Sequence, residues 1–70
     1  MDRVKALKIL LIENDVVLAD VARELGYTRG HVTNVLKGRD RSPRVVEAVA
    51  RRVGMDADGF AAQYLPRRAA

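Results

Sequence analysis

The sequence predicts an all-α fold, a compact domain of four to five helices. Three observations carry this. Apolar residues recur at steps of three and four in five successive segments. Glycine or a Ser-Pro pair punctuates the joins between them. No segment alternates apolar and polar residues in the manner of a strand. The 70 residues allow one small core. With no cysteine, disulfides and thiolate ligands are excluded, so helix packing supplies the stability.

Val4, Leu7, Leu10 and Leu11 predict a first helix over 3–13 with those residues inward and Asp2 as its cap. Asn14-Asp15 reads as a turn. A second helix over about 18–25 turns Val21, Ala22 and Leu25 inward and stops at Gly26, a residue suited to a left-handed cap. Thr28 caps a third helix over about 29–37, which Gly38 ends. Arg39-Asp40-Arg41 is an exposed loop. Ser42-Pro43, a cap followed by proline at the first helical position, starts a fourth helix over about 43–53. Its inward residues are Val46, Val49, Ala50 and Val53, and Gly54 ends it. Asp56 caps a fifth helix over about 57–64 with Phe60, Ala61 and Tyr64 inward. Pro66 closes the domain, 1–66, and 67–70 is a frayed tail.

Charge is unevenly placed. Residues 1–28 balance at −1 and residues 45–70 at +1, while residues 29–44 carry +4 with Asp40 as their only acid. A local basic stretch is the footprint of a polyanion partner. No apolar run approaches the ~20 residues that span a bilayer, and no signal-peptide cleavage pattern follows Ile9-Leu10-Leu11-Ile12. The expected location is the cytoplasm.

Within the basic region, Val32, Val35 and Leu36 pin one side of the third helix. Arg29, Thr33, Asn34 and Lys37 then point away. Ala22, Gly26, Val32 and Val35 stand at relative positions 0, +4, +10 and +13. That spacing suits a helix-turn-helix: a small residue where two helices cross, a glycine at the sharp turn, and two apolar residues holding the second helix while its other face stays free for a major groove.

The stretch LADVARELGYTRGHVTNVLKGRDRSPRVVEAVARRVGM resembles the helix-turn-helix of lambda-repressor-like (Cro/CI) DNA-binding domains, and the likeness extends over about residues 3–65. Leu18-Ala19, Gly26-Tyr27, Asn34-Val35-Leu36 and SPRVVEAVARRVG look closest to the small phage Ner and Nlp-type regulators. Relatives often start the second helix with a Ser/Thr cap and a phosphate-touching Gln. Here Val17 and Leu18 stand there, and Asp20 compensates through the helix dipole.

The resemblance implies a transcriptional regulator, a repressor of phage or prophage type, that binds double-stranded DNA and is no enzyme. Base edges fall to Arg29, Gly30, Thr33 and Asn34. Arginine suits guanine and asparagine suits adenine. Glycine brings no side chain and costs ~1 kcal/mol of helix propensity. It either lets the backbone approach DNA or is tolerated near the helix end. Phosphate contacts fall to Thr28, His31, Lys37, Arg39, Arg41 and Arg44. His31, the sole histidine, has no cysteine or second histidine with which to bind a metal, and no cofactor is expected. A homodimer on DNA through Phe60, Tyr64 and Leu65 is expected. The competing function is an antitoxin-like or other protein-binding module on the same fold.

Overall fold

Each helix begins and ends where side-chain and backbone chemistry permit. The computed structural model describes residues 3–66. Its elements are α1 (Arg3–Glu13), α2 (Leu18–Leu25), α3 (Arg29–Leu36), α4 (Pro43–Arg52) and α5 (Ala57–Tyr64). Among the described residues there is no strand. Asp2, expected to cap α1, and the tail 67–70 lie outside them. The third and fourth helices stop one residue earlier than expected, with Lys37 and Val53 as C-caps.

Three side-chain caps satisfy amides that a helix start leaves open. Thr28 Oγ1 accepts from the His31 amide at 3.1 Å, Ser42 Oγ from Val45 at 3.4 Å, and an Asp56 carboxylate oxygen from Gly59 at 3.0 Å. Val17 gives α2 no such bond. Asp20 stands in the first turn of α2, where its charge meets the positive end of the helix. After α1 the Asn14 side-chain amide donates to the Leu10 carbonyl at 2.9 Å, and Asp15 makes the turn at φ 54°.

The core draws one fully buried large side chain from α2 (Val21), one from α3 (Val32), two from α4 (Val45, Val49) and one from α5 (Phe60). Helix α4 departs from the expected stripe. Val45 and Ala48 are buried, whereas Val46 and Val53 are only partly so. The reason is position: α4 packs against α2, α3 and α5 together, so it buries a broader face than one row of valines. Arg52 also ties α4 to α2 through Glu24 at 3.4 Å.

Helix α1 departs in the opposite sense. Leu7 and Leu11 are buried, but Val4 is 54% exposed. All the close backbone approaches of α1 to other helices are to α5, so one flank stays uncovered. At its start the Arg3 guanidinium donates to the carbonyl of Leu65, supplying a partner to the end of α5. The expected dimer surface is corrected by the same packing. Phe60 is 0% exposed and Leu65 is buried, so both are spent in the core. Of the three residues only Tyr64 reaches the surface, half-buried and tilted against Phe60.

Candidate nucleic-acid interface

The join between α2 and α3 is a three-residue turn. Gly26 adopts the left-handed conformation (φ 75°, ψ 25°), where a side chain is disfavoured. The next amide, Tyr27, donates back to the Ala22 carbonyl at 2.8 Å. Ala22 is almost fully buried between the helices, and its small side chain permits their close crossing. Val32, Val35 and Leu36 are buried and hold the inner side of α3.

At 100° per residue, that inner side leaves Gly30, Asn34 and Lys37 at the centre of the outer face. Thr33 lies on one flank of this face and His31 on the other, while Arg29, in the first turn, projects on the side of Leu36 and is exposed. Arg29, Gly30 and Lys37 are exposed; Thr33 and Asn34 are half-buried. A Cβ on Gly30 would meet only Thr28 Oγ1, at 4.0 Å, and the φ of Gly30 is not left-handed. Nothing inside the protein therefore requires glycine at this position. Thr28 uses an oxygen lone pair for its cap, so its hydroxyl hydrogen stays available to an acceptor such as phosphate.

The basic loop folds back onto α3. Gly38 turns the chain at φ 82°, and the Asn34 carbonyl then accepts from the amides of Arg39 at 2.9 Å and Asp40 at 3.3 Å. Asp40, the one acid of the stretch, lies 3.6 Å from His31 Nδ1. The imidazole also meets the Tyr27 ring edge-on, with centroids 4.9 Å apart. Thus His31 has protein partners where a phosphate contact was expected. With Asp40 turned to His31, the exposed Arg39, Arg41 and Arg44 have no acidic partner among the described residues.

Residues 6–63 match the family model described as a helix-turn-helix domain. The chain belongs to that family. No curated protein and no solved structure shows a significant match to it.

In this helix-turn-helix domain, α2 supports and α3 is presented. The structure places Arg29, Gly30, Thr33 and Asn34 on α3, Thr28 and Lys37 at its two caps, and Arg39 just beyond them. Arg41 and Arg44 sit further along, at the approach to α4 and in its first turn. Two cations escape a reading of the sequence. Arg3 and Lys8 of α1 line the same depression as Thr33, Lys37 and Arg39. No local spacing signals this, because it depends on where α1 lies against α5. Among the described residues, no group of three or more His, Cys, Asp or Glu is placed to hold a metal, and no helix is long and apolar enough to cross a membrane.

Proposed function

We propose that this helix-turn-helix domain is a sequence-specific regulator of transcription, a repressor of phage or prophage type, with α3 in the major groove of double-stranded DNA. One observation carries the reading. The apolar side of α3 is pinned in the core while its polar side stands outward beside three arginines that lack acidic partners. Arg29 reads guanine through O6 and N7, Asn34 reads adenine through N6 and N7, and Thr33 adds a contact between them. The uncluttered backbone at Gly30 lets DNA come close. Thr28, Lys37, Arg39, Arg41 and Arg44 meet phosphates, as cations and a hydroxyl at a helix N-terminus suit an anion. His31 adds a phosphate contact at the rim, with Asp40 3.6 Å from its Nδ1. The role places the protein in the cytoplasm of a bacterial cell.

The test is selection of bound duplexes from random DNA, followed by titration of the winner at several salt concentrations. A defined motif of a few base pairs is expected. Its affinity should fall with salt at a log–log slope of about −4 to −5, from roughly four to six phosphate contacts. A folded protein that selects no motif and binds no duplex would remove the reading and favour a protein-binding module.

A further inference from the structure

Because the close backbone approaches of α1 to other helices are all to α5, the space between α1 and α3 stays open as a cavity of about 380 Å³. Its floor is apolar, with Val4, Leu7, Leu11, Leu36 and Tyr64. Its rim is cationic, with Arg3, Lys8, Lys37 and Arg39, and no Asp or Glu among the described residues lines it. Lys8, Lys37 and Arg39 have no acidic partner among the described residues. A second cavity, about 530 Å³ between α4, α5 and the basic loop, mixes Asp40, Glu47 and Asp58 with Arg41 and so favours no one sign.

We propose that the cavity between α1 and α3 binds an apolar small-molecule carboxylate. The hydrocarbon body lies on the leucine floor and the carboxylate sits among the rim cations. The volume falls within the range of small-molecule sites, which are apolar with a few polar groups that fix orientation. The one-signed rim selects an anion, since a cation of the same shape would be repelled. Arg3 is held at the rim by its bond to the Leu65 carbonyl and keeps other N–H groups to donate. The Thr33 hydroxyl lines the same wall. Thr33, Lys37 and Arg39 are also assigned to DNA above, so an occupied cavity places a carboxylate where DNA would bring phosphate. Ligand and DNA then exclude one another. This consequence rests on the DNA-binding reading, whereas occupation of the cavity does not.

The experiment titrates decanoate into the full chain, below the concentration at which decanoate self-associates, with amide resonances as readout. Decan-1-ol and decylammonium serve as probes of equal length. Saturable shifts confined to residues around the cavity are expected, with decanoate binding roughly tenfold tighter than decan-1-ol. Val4→Trp, at an exposed site, should fill the cavity and abolish binding of decanoate and decan-1-ol while DNA affinity persists. Lys8→Gln should weaken decanoate roughly threefold and leave decan-1-ol unchanged; it decides the matter if Val4→Trp does not fold. Decan-1-ol or decylammonium binding as tightly as decanoate, shifts clustered elsewhere, or no saturation would overturn the proposal. Decanoate should displace DNA from the wild-type chain, and simultaneous binding of both would overturn the exclusion. If no duplex binds at all, the direct titration still decides the site.

Discussion

The Arg39 amide donates to the Asn34 carbonyl at 2.9 Å. One residue on the outer face of α3 therefore fixes where the basic loop starts. The side chain of Asn34 points away from the core while its carbonyl anchors Arg39. In the proposed complex, base reading by Asn34 and phosphate contact by Arg39 would be coupled through this one backbone hydrogen bond. The turn that allows this is Gly38, left-handed and pressed against Pro66, whose Cγ would lie 3.1 Å from an added Cβ. Gly38→Ala should destabilise the fold by about 1–2 kcal/mol from the backbone conformation alone. Thermal unfolding checks this; an unchanged midpoint would mean that the loop does not depend on this turn.

Asp40 is the one acid among the cations, and it lies 3.6 Å from His31 Nδ1. Asp40→Asn removes a negative charge from beside the DNA backbone without altering shape. Affinity should rise about two- to fivefold for every duplex sequence, more at low salt, with base preference unchanged. Titrations at two ionic strengths measure it. A loss of affinity would show that the Asp40–His31 contact positions the loop rather than only sequestering charge.

Gly30 separates stability from binding. Its Cβ position is open and its backbone is unstrained, so Gly30→Ala should stabilise the free protein by ~1 kcal/mol through helix propensity. The same methyl would stand between α3 and DNA, so affinity for the preferred site should fall. A variant that is more stable and binds equally well would show that DNA does not approach the backbone there.

Phe60 is the largest fully buried side chain. Phe60→Ala should cost about 3–5 kcal/mol, against a total stability of roughly 5 kcal/mol for a domain of this size. Denaturant unfolding should therefore find the variant left with at most about 2 kcal/mol and a midpoint far below that of the wild type. A cooperative transition near the wild-type midpoint would contradict the placement of Phe60.

Local chemistry made the helices legible. Thr28, Ser42 and Asp56 announce helix starts because a short polar side chain before an apolar run has one evident use, and all three form their caps. Gly26 and Gly38 announce stops for a comparable reason. The inner face of α3 was also legible, since Val32, Val35 and Leu36 make one contiguous stripe. What needed the third dimension was how many neighbours each helix has. Val45 is buried because α4 is enclosed on several sides, and Val4 is exposed because α1 leans on α5. Neither fact has a periodicity. The pairing of His31 with Asp40 was equally hidden, since it depends on the loop folding back to Asn34. So was the placing of Lys8 and Lys37 around one cavity.

The central claim is that α3 reads bases while the loop after it holds only the backbone. Arg29 and Arg39 test it most directly, because both are exposed arginines outside the core. The measurement is affinity for the selected duplex and each of its single-base variants, at several salt concentrations, for Arg29→Ala and Arg39→Ala. Arg29→Ala should cost ~1–3 kcal/mol on the preferred site and relax preference at one base pair. Arg39→Ala should weaken all duplexes alike and reduce the salt slope by about one unit. The reverse pattern, with Arg29→Ala weakening every duplex equally and Arg39→Ala changing base preference, would contradict the orientation of α3.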